Sequence, residues 1–320
     1  LQAGRYSLDP QVTFSLTDGF YYNAAISPIT GAKLQARLGD GDLRIETIEA
    51  LWANANIAGK AALPLGLLPA NLPFDFARKG GAASAELSVK ELKFAHLEGV
   101  PEMVGGQTSF TASLEAARPE LEAVKGTVKF DELLIQAGKF QLAQEGQSLL
   151  NVDSGTVQVA QFTLAGQGAK VQAEGTAQFT GAQALHLKVD SNLDMAVLSA
   201  FTDTVRAQGA TVVALAIGGT VKAPLGTGYL QVTDADLSVT SPRVQAEKVN
   251  LRLDIAGERV VLSRLSGTLN GGTLAGSGGF SLNGNDVDLK LASKGVYLSL
   301  IHISEPTRLR RISYAVFCLK

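Results

Sequence analysis

The feature that most limits the fold of this chain is a two-residue alternation of apolar and polar side chains. It is clearest in residues 185–189, 249–255 and 287–291. Because successive side chains of a β-strand point to opposite faces, this pattern predicts strands with one apolar and one wet face. Gly and Asn, as at 39–42 and 270–272, punctuate the strands and favour tight hairpins. The sequence therefore predicts an all-β protein with a mostly antiparallel, curled and elongated sheet.

Composition excludes several classes of protein. Hydrophobic residues make up 46% and charged residues 18% of the 320 residues, which excludes intrinsic disorder. The formal net charge of −2 provides no basic excess, so nucleic acid is not an expected partner. No run of apolar residues approaches the length of a transmembrane helix. Because Leu1 already stands in a strand-like pattern, we expect an internal piece of a longer protein.

One short helix is predicted near 195–207. Apolar residues follow at helical spacing from Met195 to Val205, Asp194 stands where an N-cap would, and Gly209 stands where the helix would stop.

A long internal repeat is also present. Segments 43–63, 157–177 and 260–280 align without gaps, so that Ile48, Phe162 and Leu265 coincide. A period of roughly 100 residues is too long for a short-repeat solenoid and fits a module of several hairpins that extends one sheet.

The sequence contains no motif of a catalytic, metal or cofactor site. Before residue 298 the only histidines are His96 and His186, and neither has a metal-ligand neighbour at helical or strand spacing. Asp234 and Asp236 are the kind of carboxylate pair that could flank a sugar. We expect no enzyme activity and no cofactor, and the apolar face of the sheet becomes the informative feature. That face either closes on a helix or second sheet as ordinary core, or curls into a trough.

Residues 218–297 resemble the β-module of the AsmA-like and TamB (translocation and assembly module) family. The resembling features are a Gly219-Thr220 turn followed by Pro224, a strand that Gly228 leads, and the glycine-dense stretch 267–280. Residues 174–209 share the family's strand-strand-short-helix pattern.

The resemblance implies a long β-taco groove in the periplasm that moves phospholipid between the inner and outer membranes without a catalytic residue. It also implies an inner-membrane anchor in the full-length parent, and inner- and outer-membrane protein partners that regions beyond this chain would contact. Under this hypothesis the apolar side chains that line the lipid groove are Val159, Phe162, Val171, Leu187, Val249, Leu251, Leu253, Leu262, Leu265, Leu274, Phe280, Leu289 and Leu291. Their polar neighbours, such as Arg252 and Lys290, should face solvent.

The last 23 residues differ in texture from the rest. Residues 298–320 lack Gly, hold the single Cys (Cys318), and resemble a translated sequencing adapter at 298–308 and 312–320. Such a tail is set aside in fold reasoning. We expect it to add no strand that carries the two-residue alternation, and its side chains to be mostly exposed or laid loosely on the edge of the sheet. The predicted organisation is a β-rich repeat region at 1–150, an AsmA/TamB-like β-groove repeat at 151–297, and this tail.

Two other functions stay open. A structural β-rich surface or secreted passenger or adhesin, without lipid binding, would show a sandwich-like core and no open trough. A carbohydrate-active enzyme would need two carboxylates about 5–10 Å apart in a cleft.

Overall fold

A computed structural model describes residues 11–23, 26–68, 77–97, 100, 104–240, 243–282, 286–298, 310–312 and 315–319, the last two ranges as backbone only. The strands are β1 Val12–Asn23, β2 Ile26–Gly39, β3 Asp42–Trp52, β4 Ala55–Pro64, β5 Ala83–Lys93, β6 Val104–Ala116, β7 Val124–Ala137, β8 Phe140–Gln144, β9 Ser148–Asp153, β10 Thr156–Gly166, β11 Ala169–Gln178, β12 Leu185–Asp194, β13 Val205–Thr220, β14 Ala223–Val239, β15 Val244–Ala256, β16 Arg259–Leu269, β17 Gly272–Ser281, β18 Val287–Lys294, β19 Val296–Leu298, β20 Arg310–Ile312 and β21 Ala315–Leu319. The helical segments are short 3-10 turns at Leu65–Leu67, Phe94–His96, Leu121–Ala123 and Met195–Ala200. The predicted all-β, antiparallel fold class is confirmed.

The chain forms two compact units. Unit 1 comprises Leu1–Ala137, Ala143–Phe162 and Thr176–Gln183, and unit 2 comprises Gly138–Leu142, Thr163–Gly175 and Ala184–Lys320. In unit 1 the strands pair antiparallel in the order β1-β2-β3-β4-β5-β6-β7-β9-β10. In unit 2 the order is β12-β13-β14-β15-β16-β17-β18-β21. The boundary near residue 150 stays a prediction.

The three segments of the sequence repeat have matching local structure. Each joins two strands through a two-residue turn with positive φ, at Ala53-Asn54, Gln167-Gly168 and Asn270-Gly271. These turns occupy the same position in the alignment and have the sign of φ that twisted hairpins require. The first and third hairpins also shift register at equivalent places, between Ile45 and Ile48 and between Leu262 and Leu265.

Bulges adjust the alternation inside the strands. Val89 and Leu92 are both buried although they stand three residues apart, because the pairing of β5 with β6 shifts between them and Glu91 has a φ of 59°. A bulge residue loses its ladder hydrogen bond, and here a side chain on the neighbouring strand replaces it. The N–H groups of three such residues donate in this way, Glu91 to Ser109 Oγ (3.0 Å), Asp234 to Asn250 Oδ1 (3.3 Å) and Lys248 to Asp236 Oδ1 (3.0 Å).

The predicted helix is shorter than expected. Asp194 caps it as predicted, accepting a hydrogen bond of 2.8 Å from the Ala196 N–H, but the 3-10 helix ends at Ala200 and does not reach 207. Thr202 Oγ1 accepts the Thr204 N–H at 3.3 Å, and such local side-chain bonds compete with helix formation. Gly209 therefore lies within β13 and stops no helix.

The tail adds two short strands, and neither Arg310–Ile312 nor Ala315–Leu319 carries the two-residue alternation. β21 pairs antiparallel with β18 over five residues, from Ser293↔Ala315 to Leu289↔Leu319, and β20 pairs with β19. An open sheet edge accepts extended chain of almost any origin, and this segment contains Val and Phe, which favour strands. The side chains of Ile301, Ile303, Val316 and Phe317 lie outside the described residues, so their expected exposure stays a prediction.

Candidate functional site

One face of the unit 1 sheet is apolar across its whole width. Residues opposite one another in an antiparallel ladder share a face, so the register defines rows of side chains. One row consists of Phe14, Ala36, Ile45, Ala61, Ala85, Leu114, Gly126, Val152 and Val157. The next row on the same face consists of Leu16, Leu34, Ile48, Gly59, Leu87, Ala112, Val128, Leu150 and Val159.

The other face of the unit 1 sheet is polar. The row next to that of Phe14 faces away from the apolar rows. It consists of Thr13, Arg37, Arg44, Ala62, Ser84, Glu115, Lys125, Asp153 and Thr156. Salt bridges join adjacent strands here, at 2.9 Å between Lys60 and Glu86 and 3.3 Å between Lys125 and Asp153. Hydrogen bonds from Ser154 and Lys125 lower the pKa of Asp153. The two faces therefore offer opposite surroundings to a ligand.

An apolar trough of about 350 Å³ lies on β3–β7 of unit 1. Small side chains dominate its lining, which allows a ligand to approach the backbone of the sheet closely. The lining residues are Leu43, Ile45, Ala61, Ala62, Leu63, Ala83, Ser84, Ala85, Leu114, Glu115, Ala116 and Val124. Only Ser84 and Glu115 among them are polar, and both belong to the polar row on the opposite face. The trough can hold apolar groups by contact and offers them no directed hydrogen bond.

Most of the predicted groove residues of unit 2 share one face of its sheet. Three rows carry most of them and cross β15–β18, namely Leu253-Leu262-Gly278-Leu289, Leu251-Leu265-Gly276-Leu291 and Ile255-Val260-Phe280-Val287. Leu274 belongs to the same face through the alternation of β17. Leu187 lies opposite Ile217 on β13. The face of Val171 stays a prediction. Most of these side chains are half-buried.

Part of this predicted set lies in closed core. Val249 packs with Val232 and Ala235 in a buried cluster that Met195 of the 3-10 helix contacts. Leu262 is buried as well. At Val249 the short helix contributes to covering the apolar face. Both Val249 and Leu262 are less accessible to a ligand than the half-buried members of the set.

The two predicted groove residues of unit 1 stand on its apolar face. Val159 ends the second apolar row, and the ring of Phe162 makes an edge contact with Phe130 at a centroid distance of 5.1 Å. Phe130 in turn packs against Phe110 at 5.9 Å. These three rings lie on the same face as the trough. The sequence predicted Phe162 as a groove residue, but it did not predict Phe110, Phe130 or the trough.

The polar residues expected on the outer face of unit 2 form a network. Arg252 donates hydrogen bonds to Asp254 Oδ1 at 2.9 Å and to Gln231 Oε1 at 3.0 Å, and its guanidinium lies 4.2 Å from the centroid of the Tyr229 ring. Hydrogen bonds from Ser263 and Arg252 lower the pKa of Asp254. Lys290 is exposed, as expected.

The candidate chemical groups have structural partners. Asp236 accepts the Lys248 N–H and a 2.9 Å hydrogen bond from Gln208, which together lower its pKa, and Asp234 is itself a bulge residue. His96 Nδ1 lies 3.0 Å from the carbonyl oxygen of Ala53. Within the described ranges, no three His, Cys, Asp or Glu side chains are grouped to hold a metal ion.

None of the helices in the described part of the chain has the length and hydrophobicity needed to cross a bilayer.

Comparison with known proteins assigns this chain to no family. No family model, curated protein or solved structure matches it.

Proposed function

We propose that this chain is a segment of a lipid-transfer bridge that shields phospholipid acyl chains on the apolar face of its sheet. The trough on β3–β7 is the observation that carries this proposal. Each methylene group removed from water contributes about 0.8 kcal/mol, so a row of such groups can be held by apolar contact alone. A surface without directed polar anchors can hold an acyl chain at any position along it, which suits movement of the lipid along the sheet.

Exposure of large side chains on the apolar face favours an open groove over a sandwich core. Phe14, Leu16 and Leu87 belong to the apolar rows of unit 1 and are 51%, 47% and 37% exposed. Facing layers of a β-sandwich bury such side chains between them. The structural passenger or adhesin, which would show a closed core, is therefore the less favoured function.

The cellular setting of the proposal comes from the resemblance to the AsmA-like and TamB family. In that setting the segment works in the periplasm in outer-membrane biogenesis, phospholipid is its cargo, and the full-length parent is anchored in the inner membrane. Its proposed protein partners at the two membranes contact regions beyond this chain. The lipid-holding step itself requires no catalytic residue or cofactor.

Site-specific crosslinking tests the proposal in the full chain. A photocrosslinking amino acid at Leu114, in the trough, should capture phospholipid that mass spectrometry identifies. The same amino acid at Ser113, the adjacent residue on the polar face, is the matched control and should capture little.

A blocking variant completes the test. Ala85→Trp fills the trough with an indole ring and should remove most of the lipid that copurifies, whereas Glu86→Trp places the same ring on the polar face. Circular dichroism confirms that both variants are folded. The bridge proposal fails if the two tryptophan variants retain lipid equally, or if neither crosslinking position captures lipid. The structural passenger then takes its place.

A further inference from the structure

At one end of the unit 1 sheet, the ends of β1–β4 carry no charged residue, and charge begins on the next strand, β5, with Lys90, Glu91 and Lys93. The sequence between Asp18 and Lys33, which forms the ends of β1 and β2, contains no charged residue, and neither does the sequence between Glu49 and Lys60, which forms the β3–β4 hairpin. These hairpins are neighbours, because Ile29 of β2 pairs with Trp52 of β3.

Exposed aromatic residues concentrate at this end. Phe20, Tyr21 and Tyr22 are 69%, 51% and 64% exposed, and Leu51 on the adjacent hairpin is 40% exposed. Consecutive strand residues point to opposite faces, so the aromatic side chains project from both faces of β1. Elsewhere in unit 1 one face is polar. We call these four residues the aromatic end.

The opposite end of the same sheet is charged. The connections there include Asp40 between β2 and β3, Lys79 before β5, and Arg118 and Glu120 between β6 and β7. Lys79 is bonded to Asp42 at 3.1 Å, and Arg118 to Glu120 at 3.8 Å. Along β1–β4 the unit 1 sheet is therefore polarised, with an uncharged aromatic end and a charged opposite end.

We propose that the aromatic end docks into the interface of a lipid bilayer. A protein partner that packs on a sheet covers one face, whereas immersion in a membrane surface requires uncharged side chains on both faces. Tyr and Phe suit this location because their rings enter the acyl boundary while tyrosine hydroxyls stay near the headgroups. The absence of charge predicts that binding depends on apolar contact and not on anionic lipid. This inference goes beyond the proposed function, since docking uses the end of the strands and the acyl trough lies on their face.

Vesicle flotation of the full chain tests the proposal. The chain should float with phosphatidylcholine vesicles, and about 0.5 M NaCl should leave binding intact, because salt screens only charge interactions. The double variant Phe20→Ser/Tyr22→Ser should lower the partition coefficient by about tenfold or more. The matched control is Phe201→Ser, since Phe201 is 55% exposed but lies after the 3-10 helix of unit 2.

The single tryptophan gives a second readout. Trp52 lies beside the aromatic end, so brominated phosphatidylcholine should quench its emission in the parent chain and in Phe201→Ser, but not in the double variant. Absent flotation, or equal flotation of the parent and the double variant, would overturn the proposal. Equally, a chain that stays off vesicles and sediments as a dimer that the double variant abolishes would assign this end to self-association. Transfer of a soluble short-chain phospholipid into the trough should persist in the double variant, which separates failure of docking from failure of the lipid-bridge proposal.

Discussion

A β-carbon built on Gly278 would overlap the backbone carbonyl oxygen of Asp288 on the neighbouring strand. Gly278 has a φ of 139°, outside the range that other residues adopt readily. The same relationship recurs at four other strand glycines and their neighbours, Gly106 with Leu134, Gly126 with Ser113, Gly175 with His186 and Gly228 with Ala214. Gly126, Gly175, Gly228 and Gly278 stand about fifty residues apart in sequence. All five glycines bring adjacent strands closer than any side chain permits.

Gly278→Ala should therefore destabilise unit 2. The added methyl group must move backbone and not a flexible side-chain end, and the backbone dihedral becomes strained, at a cost of about 1–3 kcal/mol. Denaturant unfolding monitored by circular dichroism measures the loss. Gly80→Ala is the control, because Gly80 has open space around its β-position and no positive φ. An equal effect at both positions would contradict this reading of Gly278.

Asp42 should make the stability of unit 1 dependent on pH. Burial alone would raise the pKa of this nearly buried carboxyl, but hydrogen bonds from Lys79 and Arg44 outweigh it and lower the pKa. A lowered folded-state pKa contributes stability that is complete above the unfolded value of about 3.9 and is lost as pH falls through the folded value. Asp42→Asn should flatten the dependence of unfolding free energy on pH below about 4. An unchanged dependence on pH in Asp42→Asn would contradict this account of Asp42.

Arg252→Ala should lower the free energy of unfolding more than Lys290→Ala does, although both side chains were expected to face solvent. Arg252 bonds two side chains and stacks on Tyr229, whereas Lys290 is exposed. Since the Arg252 side chain is 38% exposed, solvent screening limits the loss in Arg252→Ala to about 0.5–1 kcal/mol. Lys290→Ala should change the unfolding midpoint by less than the measurement error. If the two substitutions cost the same, the contacts of Arg252 add no stability.

Alternation was enough to predict the fold class and the faces of strands such as β15 and β18. It was not enough for the trough, because Ala61 and Ala85 carry little apolar signal and become a floor only when long-range pairing places them opposite each other. Bulges such as Glu91 were equally hidden, since their left-handed φ depends on a partner side chain, Ser109, from another strand. The helix is shorter than predicted because the Thr204 N–H bonds to the Thr202 side chain. The spacing of apolar residues gives no indication of such a local bond.

The pairing of Ala292 with Val316 permits a test of how the tail is held. If β21 occupies an open edge without specific packing, Val316→Pro should release it, because proline adds no ladder donor and its ring disturbs the pairing. Hydrogen exchange of the β18 amides should then accelerate, while the unfolding free energy of unit 2 stays within about 0.5 kcal/mol of the parent, as for a surface change. Val261→Pro, in the interior strand β16, is the contrasting variant and should cost several times more. A large loss of stability in Val316→Pro would show that the tail packs as an integral strand and would count against its interpretation as a segment never selected to fit this sheet.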